Sequence, residues 1–291
     1  MDPKVIRLFD AYTHGGLTRR DFLKRLAALA GSAAVAYALL PLLENSYAHA
    51  ATVPEDDPRL LASEAGWSGG RSAVRGYLVV PKTVEHALGS VIVIHENRGL
   101  NPHIRDVARR LALAGFAALA PDGLSAVGGT PADEDAARGL FRELDADDSL
   151  TDFAYAIGFL KSHYWSNGKV GCVGFCWGGA MANRLAATQG DALAAAVSFY
   201  GMQAPLEQVP DIRAALQLHY AEHDPRVNAG MEAYADALRA AGVDFEQHVY
   251  PGTQHAFHND TNAARHDAEA AALAWRRTVE FLRGKLRSQP G

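Results

Sequence analysis

The chain has very little cysteine: its 291 residues include only Cys172 and Cys176. If the stretch between them is extended, their Cα atoms lie roughly 13 Å apart at ~3.3 Å per residue, beyond the ~7 Å limit for a disulfide. C-x-x-C pairs and sets of four ligands with zinc-finger spacing are also missing. A disulfide-stapled fold is therefore excluded, and one thiol is a candidate for chemical reactivity.

The chain also lacks an excess of basic charge outside its first 50 residues. Residues 1–50 carry six Lys and Arg against four Asp and Glu, and the remainder carries 22 against 29, a net charge of −7. Such an acidic body is poorly suited to phosphate backbones, so no nucleic-acid partner is expected. With 48% hydrophobic and 21% charged residues, the composition is that of a globular protein, and one α/β domain behind a leader is the simplest interpretation.

Residues 1–50 have the pattern of a targeting segment. Thr18-Arg19-Arg20-Asp21-Phe22-Leu23-Lys24 precedes an apolar stretch from about Leu26 to Leu43, and this run resembles the twin-arginine export signal at every position. Ala48-His49-Ala50 follows, with small residues at the two positions that a signal peptidase inspects. We expect the twin-arginine machinery as a partner, cleavage after Ala50, a periplasmic or secreted product, and no stable membrane insertion once the leader is removed.

An uncleaved membrane anchor and a soluble amphipathic helix are the alternatives for this segment. The apolar stretch is at the bottom of the ~17–25-residue range for a membrane span, and it contains Gly31, Ser32 and Pro41. These features favour a removed signal.

Beyond a linker and lead-in at 51–73, residues 74–291 alternate short apolar runs with segments of helical period, as βαβ units do. Strands are predicted at 75–80, 90–95, 116–120, 169–175, 194–200, 215–220 and 243–250. Helices are predicted at 106–115, 149–163, 181–187, 231–241 and 262–285. The pattern predicts an α/β-hydrolase fold, a doubly wound and mostly parallel sheet with helices on both faces.

Cys176 lies in the most informative stretch, where a predicted strand runs into Gly-x-Cys-x-Gly-Gly and a helix follows. In α/β-hydrolases the nucleophile occupies a strained strand-to-helix turn, and glycines two residues before and after it avoid collisions. Gly174 and Gly178 occupy those positions.

The helix N-terminus favours a thiolate and a developing oxyanion, so Trp177 N–H is predicted as one oxyanion donor and Asn97 as the other. A small buried hydrophobe is the alternative role for Cys176, and the expected role for Cys172.

Gly66-Trp67-Ser68-Gly69-Gly70 matches the serine form of the same motif. No apolar strand precedes it and no helix follows, so it is interpreted as a turn before the first strand.

The acid and the base of a triad follow the nucleophile in this fold, each after a strand. Asp224 follows the strand that ends near Tyr220, and His255 follows the final strand. His255 would remove the thiol proton, while Asp224 would fix its tautomer and stabilise the imidazolium. Asp224 could also be a turn former. Metal ligation by the histidines is not expected, because His-Glu-x-x-His is absent, and no cofactor is expected.

The body resembles the dienelactone hydrolase family from about Val74 to the last helix. The shared landmarks are 94–96, 99–101, 104–105, 166–171, 174–179 and 251–257. The resemblance implies that Glu96 contacts the resting thiol and helps to deprotonate it when substrate binds. It also implies thiolate attack on an ester or lactone carbonyl, a thioester intermediate, and hydrolysis by water that His255 activates.

The sequence departs from the family where the type enzymes hold the substrate carboxylate with arginine. Asn259 stands at the position after His258, and Arg138 and Arg142 lie near the second position without a certain match. Arg98, Trp177 and Asn259 are predicted as substrate-binding residues.

The predicted function is hydrolysis of a small-molecule ester or lactone. An inactive scaffold that binds a ligand or a protein partner, and peptidase or carbon–halogen hydrolysis on the same fold, are the alternatives.

Overall fold

The structure is a computed structural model that describes residues 1–47 and 52–287. Its strands are β1 (Leu60–Ser68), β2 (Ala73–Pro81), β3 (Leu88–Ile94), β4 (Ala117–Pro121), β5 (Ser166–Phe175), β6 (Ala195–Phe199), β7 (Ala215–His223) and β8 (Phe245–Gln254). Its α-helices are α1 (Pro3–His14), α2 (Arg19–Ala30), α3 (Ala33–Leu43), α4 (Pro102–Leu113), α5 (Glu134–Leu140), α6 (Ala146–Lys161), α7 (Trp177–Thr188), α8 (Pro225–Asn228), α9 (Met231–Ala240) and α10 (Ala268–Leu286).

The eight strands form one sheet in the order β1-β2-β4-β3-β5-β6-β7-β8. The strands from β4 to β8 in that order pair in parallel, and β2 runs antiparallel to both of its neighbours. Val91 and Val93 pack into one core, while Ile92 and Ile94 pack into another. Because alternate side chains of a strand point to opposite faces, the sheet is buried on both sides. The predicted α/β-hydrolase fold is confirmed.

The edge of the sheet differs from the prediction. Gly66, Trp67 and Ser68 are the last residues of β1 rather than a turn, and Ser68 pairs with Ala73 of β2. The sequence pattern missed β1 because most of its side chains are exposed at the sheet edge, so it lacks the apolar run of an interior strand.

The N-terminal residues form a small helical unit with its own core. Phe9, Tyr12, Phe22, Leu26 and Leu43 are buried together between α1, α2 and α3. No single helix within 1–47 or 52–287 is long and apolar enough to span a membrane; α2 and α3 reach that length only as a pair, bent by 112°. We call residues 1–47 the N-terminal segment.

Polar contacts join the N-terminal segment to the body. Asp10 forms an ion pair with the buried Arg265, with Nη1 and Oδ1 2.9 Å apart. Asp135 of α5 accepts a hydrogen bond from the Tyr12 hydroxyl at 2.8 Å and forms an ion pair with Arg19 at 2.7 Å. Asn262 donates its amide to the Leu43 carbonyl at 2.5 Å.

The predicted leader is thus packed on the body over its described part. The predicted cleavage tripeptide, 48–50, lies outside the described residues, and cleavage stays a prediction.

Candidate active site

Cys176 occupies a strained turn between β5 and α7. Its φ of 56° and ψ of −111° are rare for a residue with a side chain. A Cβ on Gly174 would lie 1.9 Å from the Gly178 carbonyl oxygen, and a Cβ on Gly178 would lie 2.2 Å from the Ile94 carbonyl oxygen. Two glycines are therefore needed for the strand and the helix to meet at this angle.

The turn places the Cys176 sulfur at the N-terminus of α7. The backbone N–H of Cys176 donates to the Phe199 carbonyl at 3.0 Å, which fixes the turn against β6. Trp177 begins the helix, and its N–H belongs to the first turn, whose donors have no acceptor inside the helix. The positive end of the helix dipole and these free donors favour negative charge on the sulfur or on an adjacent oxygen.

His255 and Asp224 form a buried pair beside this turn. Asp224 directly follows β7, His255 directly follows β8, and His255 Nδ1 lies 2.5 Å from Asp224 Oδ2. Burial alone would raise the pKa of Asp224, but the hydrogen bond and the charge of His255 outweigh it and lower that pKa. The carboxylate therefore holds the proton of His255 on Nδ1 and leaves Nε2 for the sulfur.

The electrostatics of His255 favour an imidazolium. Burial lowers its pKa, but the negative Cys176 sulfur and the Asp224 carboxylate more than offset burial and raise the pKa to about 10. His255 Nε2 and Cys176 Sγ lie within 4.8 Å of each other. Such a pair can supply a thiolate for attack on a carbonyl carbon.

A second imidazole approaches the sulfur from the N-terminal segment. His14, the last residue of α1, has Nε2 3.1 Å from Cys176 Sγ, and its ring packs edge-on against His255 with 4.6 Å between centroids. Its Nδ1 lies 3.2 Å from the Asp10 carbonyl oxygen. Burial, and then the positive charges of His255, Arg226 and Arg265, lower the pKa of His14 well below its ordinary value, which favours the neutral ring.

Glu96 follows β3 and is buried, as are its contact partners Asn259 and Arg98. Asn259 Nδ2 donates to Glu96 Oε2 at 2.9 Å, and Arg98 Nη1 lies 3.8 Å from the same oxygen. No hydrogen bond joins Glu96 to Cys176 in the part of the chain that the structure describes. The Glu96 carboxylate is thus engaged by Asn259 and Arg98, and its expected role at the resting thiol stays a prediction.

A cavity of about 300 Å³ lies beside the Cys176 sulfur. Of the predicted site residues, it brings together Cys176, Trp177 and Asn97, and three arginines, Arg138, Arg142 and Arg226, also line it. Arg138 forms an ion pair with Asp135, whereas Arg142 and Arg226 form no ion pair with any residue in 1–47 or 52–287. The cavity can therefore accept a small substrate with a negative group.

The structure does not bring Arg98 or Asn259 to this cavity. Arg98 is buried, with Nε 2.7 Å from Glu134 Oε2. Asn259 donates to Glu96 and accepts from the Thr261 hydroxyl at 2.6 Å. Arg98 thus forms buried ion pairs and the Asn259 side chain is hydrogen-bonded, both within the protein.

The N-terminal segment closes one side of the cavity. Thr13, His14 and Gly15 line it, and the Asn97 amide donates to the Thr13 carbonyl at 2.8 Å. The sequence pattern missed His14, because a contact between Cys176 and a residue in a predicted leader cannot be inferred from local spacing.

Comparisons with known proteins identify the family of the chain. The model of the dienelactone hydrolase family matches residues 74–286, and a model described as YqhI-like matches residues 1–31. A Salmonella typhi protein named "Putative carboxymethylenebutenolidase" is 32% identical over 71% of this chain and 81% of its own. The protein usf of Aquifex pyrophilus is 35% identical over 73% of this chain and 94% of its own. Dienelactone hydrolase from Anabaena variabilis is a similar solved structure, with a TM-score of 0.62 and 26% identity over 79% of this chain and all of its own.

Proposed function

The chain belongs to the dienelactone hydrolase family, and we propose that it hydrolyses a carboxylic ester or lactone of a small molecule through Cys176, His255 and Asp224. The observation that carries this proposal is the convergence on one sulfur of a strained turn, a helix N-terminus and an imidazole backed by a carboxylate. Each of these features increases the nucleophilicity of the thiol or stabilises its anion.

In the first half of the reaction, the Cys176 thiolate attacks the carbonyl carbon and the carbonyl electron pair moves onto oxygen. The N–H of Trp177 and a donor at Asn97 stabilise that oxyanion. When the tetrahedral intermediate collapses, the C–O bond breaks, the His255 imidazolium protonates the leaving alkoxide, and a thioester to Cys176 remains. In the second half, neutral His255 removes a proton from water, the hydroxide attacks the thioester, and the thiolate leaves.

Glu96 has a proposed role that depends on rearrangement. The family resemblance assigns it to thiol deprotonation, whereas its carboxylate accepts from Asn259 in the resting structure. We propose that substrate binding replaces this hydrogen bond and turns Glu96 towards the sulfur.

Two arginines support a negatively charged substrate. Arg142 and Arg226 are exposed at the cavity that contains the sulfur. A guanidinium binds a carboxylate through charge-assisted hydrogen bonds, so an ester or lactone that also carries a carboxylate suits the site.

The substrate must reach a sulfur that the N-terminal segment contacts. We propose that the chain is exported by the twin-arginine route, which the run from Thr18 to Lys24 supports, and that cleavage after Ala50 removes His14 from the sulfur. Fractionation and N-terminal sequencing of the mature protein test this. A mature protein that stays in the cytosol and begins at Met1 contradicts it.

The hydrolase proposal is tested with the full chain and the form 51–291, both treated with a chelator. They are assayed on aryl esters and lactones with and without a carboxylate. Turnover is expected to disappear in Cys176→Ala and to persist in Cys172→Ala, which removes the other thiol. Equal rates for wild type and Cys176→Ala would remove Cys176 from the mechanism.

A further inference from the structure

We propose that the full chain binds one Zn²⁺ ion through Cys176 Sγ, His255 Nε2 and His14 Nε2, and that the bound ion closes the active site. This site shares Cys176 and His255 with the proposed triad and adds His14 from the N-terminal segment, outside the family domain at 74–286. It also goes beyond the sequence prediction, which expected no metal.

The three ligand atoms already lie close together. The sulfur and the two nitrogens are all within 4.8 Å of one another, and His14 Nε2 is 3.1 Å from the sulfur. In tetrahedral zinc sites, Zn–S bonds of about 2.3 Å and Zn–N bonds of about 2.0–2.1 Å place neighbouring ligand atoms about 3.4–3.6 Å apart. Side-chain adjustments of about 1 Å or less bring these atoms to that geometry.

Both imidazoles are oriented as zinc ligands are. The Nδ1 atom of His255 faces the Asp224 carboxylate at 2.5 Å, and the Nδ1 atom of His14 faces the Asp10 carbonyl oxygen at 3.2 Å. An oxygen at Nδ1 keeps the proton there and directs the Nε2 lone pair to a metal, the usual arrangement of metal-binding histidines. Here both Nε2 atoms lie near one sulfur, that of His14 at 3.1 Å and that of His255 within 4.8 Å.

Hydrogen bonds alone do not satisfy this arrangement. His255 Nε2 is buried and has no hydrogen-bond partner among the residues that the structure describes. When His255 is an imidazolium and the sulfur is a thiolate, the sulfur has no proton to donate to the Nε2 lone pair of His14, 3.1 Å away. A cation that replaces the Nε2 proton of His255 binds both imidazole nitrogens and the thiolate at once.

The donor set selects the kind of metal. One thiolate and two imidazoles suit zinc, whereas Mg²⁺ and Ca²⁺ require oxygen ligands. The adjoining cavity of about 300 Å³ leaves room for water as a fourth ligand. Arg226 and Arg265 add positive charge nearby, but Arg226 is exposed to solvent and Arg265 is paired with Asp10.

Metal binding has a direct functional consequence. A sulfur bonded to Zn²⁺ is a weaker nucleophile than a free thiolate, and the ion also occupies His255 Nε2, which the mechanism needs for proton transfer, so the ion inhibits hydrolysis. Because His14 belongs to the N-terminal segment, the ion also stabilises the segment in its docked position by mass action. A chelator is expected to restore the rate.

The test uses Co²⁺, which has visible spectra where Zn²⁺ has none. Titration of the metal-free full chain is expected to give one Co²⁺ per chain, a thiolate-to-cobalt charge-transfer band and the absorption of a tetrahedral ion, and Zn²⁺ is expected to displace it. His14→Gln, which removes the ligand at similar volume, is expected to weaken binding at least about tenfold, the lower range for loss of a group that only orients a metal ligand.

Two further variants complete the design. His14→Cys supplies another ligand and is expected to restore the band. His223→Ala removes a half-exposed imidazole near His14 and His255 and is expected to leave cobalt binding unchanged. Absence of the band in the wild type, or equal affinity in wild type and a folded His14→Gln, overturns the proposal. Absence of ester hydrolysis in both the metal-free full chain and the form 51–291 would overturn the proposed function and leave the cobalt result independent.

Discussion

His14 Nε2 lies 3.1 Å from Cys176 Sγ, although 162 positions separate the two residues in the chain. The contact joins the last residue of α1 to the proposed nucleophile of the family domain. We expect the chemical reactivity of the thiol to depend on whether the N-terminal segment is docked.

Removing residues 1–50 is therefore expected to increase the rate at which iodoacetamide alkylates Cys176 by about tenfold or more. Each hydrogen bond that holds the segment contributes ~0.5–1.5 kcal/mol, and several must break before the reagent reaches the sulfur. Mass spectrometry of the alkylated peptides gives the rates.

The control for this experiment is Cys172, which is buried within β5 and is expected to remain unreactive in both forms. The Anabaena variabilis enzyme aligns over its whole length with 79% of this chain, so the body is expected to fold without the segment, which circular dichroism checks. Equal alkylation rates would contradict the proposed shielding.

An ion pair between Cys176 and His255, which the raised pKa of His255 predicts, is expected to make stability depend on pH. Burial opposes the shift, but the sulfur and Asp224 raise the His255 pKa from 6.5 to about 10 in the folded state. The stabilisation is therefore complete below pH 6.5 and is lost as pH rises towards 10. Urea unfolding between pH 6 and pH 10 should show a smaller loss of stability in Cys176→Ala than in wild type. Identical pH dependence in the two proteins would refute the ion pair.

Gly174→Ala is expected to destabilise the fold by about 3 kcal/mol or more and to abolish activity, because backbone atoms block its Cβ. Gly158→Ala is the matched control. Gly158 lies in α6, and the space that a Cβ would occupy there is open, so alanine should stabilise the helix by roughly 0.5–1 kcal/mol. Thermal and urea unfolding measure both changes; similar effects of the two substitutions would exclude the steric explanation of the turn.

Arg142→Gln and Arg226→Gln are each expected to raise KM for a carboxylate-bearing ester by about 2- to 10-fold, the range of ~0.5–1.5 kcal/mol for one hydrogen bond. KM for a neutral ester should not change. Arg239→Gln, which alters an exposed arginine of α9 away from the cavity, serves as the control. An equal rise in KM for both substrates would indicate a structural effect rather than recognition of charge.

The sequence was sufficient for the features that local spacing determines. Gly174 and Gly178 flank Cys176 because sterics at one turn require them, and that requirement is visible within five residues. The order of Asp224 and His255 after successive strands follows from the parallel sheet. The continuous apolar run of β3 identified a strand that is buried on both faces.

Features that depend on distant residues were not predictable in the same way. The edge strand β1 carries mostly exposed side chains, so its pairing with β2 leaves no apolar signature. Asn259 was identified by its position beside His258, but its amide is engaged by Glu96. The contacts of α1 with the body could not be predicted, because they join residues that are far apart in the sequence and leave no local pattern.

The docking of Arg19 on Asp135 connects two events that are otherwise separate. Arg19 is the first arginine of the predicted export signal, so a receptor that recognises this arginine must compete with the carboxylate for the same guanidinium. When that receptor binds Arg19, the ion pair with Asp135 would break and the helix that carries His14 would be released. The receptor would thus bind the signal in the same step that makes the thiol accessible. The chain would then fold with its thiol shielded and bind the translocation apparatus. Only afterwards would the thiol be exposed to substrate.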